Sequence, residues 1–151
     1  MRKRLIPLFR SFWRKEQGES LLIVAFAITA LIGMSATAAD MGAAYVKTAQ
    51  TQTAADAAVL AAGMKLPVKS GDTAGIEQVK AVARDYLTKN GVEDASQATI
   101  TLGDLSGGAY HSILVSQPAM SETAFARIFG INEITFRRQA EAKVVPCAAL
   151  S

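Results

Sequence analysis

An uncharged run from Leu21 to Ala39 (LLIVAFAITALIGMSATAA) constrains this chain more than any other feature. As a helix its 19 residues span about 28 Å, close to the hydrocarbon thickness of a bilayer. Ser35, Thr37 and several small residues dilute its second half. Six cations precede it (Arg2, Lys3, Arg4, Arg10, Arg14 and Lys15), with two acids, Glu16 and Glu19. Residues 1–20 thus carry +4, and residues 21–151 carry −1, against +3 for the whole chain. The positive-inside rule then puts residues 1–20 in the cytoplasm and everything after Asp40 across the membrane. Phe9, Phe12 and Trp13 fit an interfacial belt, with Arg10, Arg14 and Lys15 reaching towards headgroups.

The same charge split excludes other classes. A body of net charge −1 is a poor match for nucleic acid, because phosphate neutralisation needs clustered cations on the folded surface. A disulfide within the chain is excluded, since Cys147 is the single cysteine. One Cys and one His (His111) cannot build a Cys/His metal site.

Two other fates of the leader compete with a retained anchor. Ala36-Thr37-Ala38 is an acceptable signal-peptidase site, with the cut after Ala38. A basic leader ending at Gly18 also suits a prepilin-type cut, although Ile23 stands where prepilins usually carry Glu, five residues on. All three fates deliver the body out of the cytoplasm.

The helical pattern continues past Asp40. Residues 40–63 (DMGAAYVKTAQTQTAADAAVLAAG) lack Pro and are rich in Ala, and Gly63 and Pro67 mark the end. A helix over about residues 20–62 is roughly 65 Å long, half of it beyond the bilayer. Ala54, Ala58 and Ala62 form a small-residue ridge that admits close approach of another helix or a sheet. Asp56, a charge in so apolar a helix, must pair or face water.

Asp40, Gly42, Tyr45, Gln52 and the run Ala54-Ala55-Asp56-Ala57-Ala58, followed by Leu60-Ala61-Ala62, resemble the N-terminal signature of TadE/TadG-like proteins. These are pilus-assembly proteins of the tight-adherence (Tad, Flp pilus) system. The lead-in Phe12-Trp13-Arg14-Lys15-Glu16-Gln17-Gly18 is similar as well, while Thr51 departs from the Leu usual before the Gln. The resemblance implies either a TadG-like protein that keeps its helix as an anchor or a TadE/TadF-like pseudopilin processed by a prepilin peptidase. Ile23 favours the TadG-like anchor. Asp40, Gly42, Tyr45, Gln52, Ala54, Asp56, Ala58 and Ala62 become candidate association residues, with Asp40 at the outer interface.

Beyond a linker at residues 64–74, an amphipathic stripe (Ile76, Val79, Val82, Ala83, Tyr86, Leu87) predicts a second helix over residues 75–89, ended by Asn90-Gly91. Residues 99–102 and 110–116 read as a hairpin joined by a Gly-rich loop, 103–108. That loop lacks the Lys-Ser/Thr of a phosphate cradle and opens no helix. Pro118 is expected to break the second strand, and Ser121 to cap a short helix over residues 123–129 closed by Gly130. Residues 134–145 alternate as a strand, with Arg138 interrupting its apolar face as an exposed end or bulge. Pro118, Phe125, Gly130, Ile131, Pro146 and Cys147 extend the resemblance into this half.

The expected fold is α+β and pilin-like. A long transmembrane and Ala-rich helix leads to a second helix, an antiparallel sheet of about three strands and a short helix. Residues 1–20 form a cytoplasmic tail, 21–39 the span, 40–63 its periplasmic extension, 75–146 the periplasmic module and 147–151 a C-terminal tail. No nucleophile, base and acid fall into a catalytic pattern around His111, and the loop pair Glu93-Asp94 suits solvation better than acid–base work. Neither cofactor nor metal is expected. The resemblance implies a single-pass protein of the bacterial inner membrane that joins other pilus-assembly proteins or pilin subunits, or itself. A processed minor pseudopilin, and a secreted periplasmic enzyme or binding domain, are the alternatives. Cys147, four residues from Ser151, suits pairing between chains or with a longer form of the protein.

Overall fold

The first helix, α1 (Lys15–Gly63), runs unbroken for 49 residues, about 74 Å at the standard rise. The computed structural model describes residues 15–145; the basic tail before Lys15, together with Pro146 and Cys147, lies outside the described residues. The two halves of α1 live in different surroundings. From Gly18 to Ala39 every position is exposed except Ala36, which is half-buried. From Asp40 onward a buried stripe appears at Asp40, Ala44, Thr48, Thr51, Ala55, Ala58 and Ala62. Those steps of three and four residues trace one face of a helix.

The hydroxyls that dilute the apolar run do not break it. Thr29, Ser35 and Thr37 each donate to the carbonyl four residues back, at 2.9 Å. A hydroxyl bonded to its own helix needs no water, so the desolvation cost of placing it in lipid is largely removed. The run is therefore a better membrane segment than its composition suggests.

After Gly63 the chain turns into a two-residue strand, β1 (Val68–Lys69), inside the expected linker. Leu66 and Val68 are buried there. The second helix, α2, covers Thr73–Lys89. Asp72 caps it by accepting the Gly75 N–H at 2.9 Å. Val79, Ala83 and Leu87 of the expected stripe are buried. At the far end Gly91 takes a left-handed φ of 87°, and the Val92 N–H reaches back to the Leu87 carbonyl at 3.0 Å, a Schellman-type stop. Gly75 is held by close packing: a Cβ there would lie 2.5 Å from Asp72 Oδ2 and 2.6 Å from Val68 Cγ2. Gly75→Ala is expected to displace the capping carboxylate and destabilise the body by about 1 kcal/mol, read as a lower thermal midpoint in detergent micelles.

The sheet is antiparallel and four-stranded. β2 (Thr99–Ser106) and β3 (Ala109–Glu122) form the hairpin, and β4 (Glu133–Lys143) pairs with β3 from Ser112↔Lys143 to Glu122↔Glu133. β3 is central, with β2 on one side and β4 on the other. β1 continues the β4 side through Val68↔Tyr110 and Lys69↔Ala109. The hairpin turn is shorter than expected. Gly107 and Gly108, at φ 57° and 78°, make the two-residue turn that suits strand twist, so β2 extends through Ser106.

Three expectations are corrected here. Pro118 does not end its strand. β2 begins at Thr99 opposite Ser116, so beyond Ser116 only β4 is laddered to β3, and a missing N–H is tolerated on the free side. Ser121 caps no helix. It pairs with Ile134 inside the sheet, and the short helix shrinks to a 3-10 turn, Ala126–Phe129, ended by left-handed Gly130. Arg138 marks neither strand end nor bulge, because its ladder partner is Gln117 in an uninterrupted register.

One α-helical layer covers one face of the sheet. The core joins Ala54, Ala55, Ala58, Val59 and Ala62 of α1 to Val79, Ala83 and Leu87 of α2, and to Ile113, Val115 and Ala140 of the sheet. Small α1 residues meet larger residues from the other elements. That lets α1 lie close along β3 and β4, with the Gly63 end near Ala142 and the Asp40 end near the β3–β4 connection.

Candidate association surface

Asp40 is the best-defined polar site among the described residues. It sits on α1 directly after the uncharged run, and it is only 6% exposed. Its Oδ1 accepts the Ala124 N–H at 2.9 Å and its Oδ2 accepts the Ala126 N–H at 2.7 Å. The Phe125 N–H lies 3.1 Å from Oδ2 and 3.3 Å from Oδ1. One carboxylate thus collects three consecutive backbone donors at the start of the 3-10 turn. Ala126 is the first residue of the turn, whose N–H a helical start leaves unpaired, and Ala124 and Phe125 lead into it. The Ala126 N–H does most to hold the Asp40 carboxyl below its ordinary value; burial opposes, and the Ala124 and Phe125 N–H groups assist. Beside it, the Thr123 hydroxyl donates to the Ile131 carbonyl, and the Thr123 N–H donates to the Asn132 carbonyl at 3.0 Å. The β3–β4 connection is closed on itself and tied to α1.

The other candidate residues divide by burial. Ala54, Ala58 and Ala62 have no exposed surface, and what they touch is the chain's own core. Gln52 donates one amide to Asp56 Oδ1 at 2.9 Å and to the Gln139 carbonyl at 3.2 Å. It ties α1 to β4 and leaves Asp56 exposed with an amide partner. Gly42 and Tyr45 remain open: Gly42 has free space around it, and Tyr45 is 76% exposed. Gly42, Ala43, Val46 and Gln50 form one wall of an open groove of about 670 Å³. Met120, Glu122 and Glu133, at the end of β3 and the start of β4, form the other. Lys47 and Glu93 close it with an ion pair of 2.9 Å. That bond and the Lys47 charge lower the Glu93 carboxyl from its ordinary value. A smaller cleft of about 130 Å³ adjoins, where Gln117 donates to the Asp94 and Pro118 carbonyls at 3.2 and 3.0 Å.

His111 lies at the far end of the sheet, its Nε2 3.2 Å from the Ser106 carbonyl oxygen. Glu93 holds Lys47, while Asp94 accepts the Ser96 N–H at 3.0 Å and Gln97 Nε2 at 2.8 Å. Among the described residues no group of three or more His, Cys, Asp or Glu is arranged to hold a metal ion.

In the sequence Asp40 stands at the end of the uncharged run, but nothing there announces its partners. The donors are backbone groups 84 to 86 residues away, and no side chain at residues 124–126 advertises them. The nearest signal is the left-handed Gly130, which closes the turn.

A bare apolar half-helix continuing into a half that carries a small antiparallel sheet defines a helix-anchored α+β module. Among the described residues it has one candidate membrane-spanning helix, near its N-terminus. Residues 18–65 match a family model described as putative Flp pilus-assembly TadE/G-like. The match takes in the apolar run, Asp40 and the whole packed half of α1; the resemblance at Pro118 to Cys147 falls outside it. No curated protein and no solved structure gives a match.

Proposed function

We propose that this protein is an inner-membrane-anchored component of a Tad/Flp-type pilus system that works by protein–protein association. Residues 21–39 span the membrane, the basic tail is cytoplasmic, and the α+β body faces the periplasm. The observation that carries this reading is the match at residues 18–65, which covers the stretch where the bare apolar helix becomes the Asp40-tethered body. Asp40, Gln52, Ala54, Ala58 and Ala62 hold the body on the helix. Gly42, Tyr45 and the groove beside them supply the surface for other pilus-assembly proteins, pilin subunits or a second copy. Asp56, exposed and bonded to Gln52, offers the acid that a cationic partner would meet.

Deleting the gene is expected to abolish piliation and surface adhesion, with restoration by the intact gene. Normal piliation in the deletion strain would overturn the assembly role. The exposed apolar half of α1 also suits a processed pseudopilin that buries this half against neighbouring subunits. Mass spectrometry of the mature N-terminus separates the readings. Met1 means a retained anchor, Glu19 a processed pseudopilin, and Ala39 a secreted domain.

A further inference from the structure

The segment tied to Asp40 carries a cluster of exposed apolar side chains. Phe125 is 45% exposed, Ile131 52%, Ile128 80% and Phe129 84%. Large apolar groups this open, four within seven residues, are unusual on a surface that meets only water. Their location along α1 decides what covers them. Side chains on a helix lean towards its N-terminus, so the Asp40 carboxylate reaches back over the last turn of the uncharged run. Ala36 is the one position from Gly18 to Ala39 that is partly covered. The turn at residues 124–129 therefore stands level with the end of the apolar run. The medium that surrounds the end of the run, around Ala36, therefore also meets this turn.

The charges follow the same level. Arg127 lies within the apolar cluster, and its guanidinium is 3.6 Å from Glu122. Glu122 and Glu133 face each other on the last rung of the sheet, a step further from the run. A long cation beside apolar groups can lay its stem along them and hold its charge at the headgroups.

The geometry points to residues 125–131 as a second membrane contact, a wedge that enters the headgroup–acyl boundary of the bilayer crossed by residues 21–39. Phe125, Ile128, Phe129 and Ile131 enter the acyl boundary, and Arg127 lies at the phosphates. Asp40 sets the wedge depth by fixing the backbone at residues 124–126. The wedge stops the body from swinging about the helix, so the groove beside Gly42 faces a fixed direction relative to the membrane. This inference rests on residues 21–39 spanning the bilayer, as proposed above.

The test uses the full chain in vesicles of phosphatidylcholine and phosphatidylglycerol, some brominated near the headgroup end of the acyl chains and some near the bilayer centre. Trp13→Phe removes the single native tryptophan. One tryptophan is then introduced at Ile128, at Phe26 or at Leu105. Leu105 is exposed near the hairpin tip, about 45 Å along β3 from the wedge. Ile128→Trp is expected to be quenched several-fold more than Leu105→Trp by shallow bromines and to be shielded from aqueous acrylamide. Phe26→Trp is expected to be quenched by bromines within the acyl region. Quenching at Phe26→Trp with none at Ile128→Trp overturns the wedge and keeps the span. Absence at both overturns the span itself. Shielding from acrylamide at Ile128→Trp without bromine quenching means that protein covers the cluster, which also overturns the lipid contact.

Discussion

Asp40→Ala is expected to release the β3–β4 connection from α1 and to lower the thermal midpoint of the body more than any other change of an α1 polar residue. The substitution removes one acceptor and strands three donors. The N–H groups of Ala124, Phe125 and Ala126 all lie within 3.3 Å of this carboxylate, and a donor left without a partner loses more than the bond was worth. Backbone amides at these three positions should lose hydrogen-exchange protection, and proteolysis should begin between Thr123 and Ile131. Asp40→Asn is expected to fall between the wild type and alanine, because its amide keeps one oxygen acceptor but turns a donor towards the same N–H groups. The pH dependence has a defined sign. Asp40 titrates below its ordinary value of 3.8 in the folded protein, so its contribution is complete above that value. It is lost as pH falls through the lowered folded value. Wild type and Asp40→Asn should therefore run parallel above about pH 5 and converge as pH falls from there through the lowered folded value. A gap that stays constant as the pH falls through the acid range would remove the carboxylate from the account.

How much of this was legible in the sequence depends on the range of the interaction. The apolar run, the α2 stripe ending at Leu87 and the alternation of Ile134, Phe136, Ala140 and Ala142 are local patterns, and each appears as an element where its period put it. The hairpin was legible for the same reason, though the Gly107-Gly108 turn is tighter than a six-residue loop. Pro118 and Ser121 misled because their usual meanings are local, whereas the deciding facts are long-range registers: β2 begins only at Thr99, opposite Ser116, and Ser121 pairs with Ile134 of β4. Asp40 misled by omission. Its place at the end of the apolar run was visible, but its partners are backbone groups, which carry no sequence signature.

The small-residue ridge poses a sharper question, since Ala at every fourth position reads equally well as a seam for a partner or a seam within the chain. Ala58 decides it. The residue has no exposed surface and belongs to the cluster shared by α1, α2 and the sheet. Ala58→Leu adds three carbons where the interior is already filled, and the expected cost is about 1–3 kcal/mol. The matching change at Ala43, exposed on the groove wall, adds the same bulk to open surface. It is expected to move stability by no more than about 0.5 kcal/mol. Circular-dichroism melts in detergent micelles, set beside piliation of complemented deletion strains, give two independent readouts. Ala58→Leu should lose the melt first and piliation only as a consequence. Ala43→Leu should keep the melt and lose piliation, because its bulk fills the groove a partner would enter. The reverse pattern, with a stable Ala58→Leu that fails to assemble pili, would return the ridge to a partner and leave the groove beside Gly42 without a role.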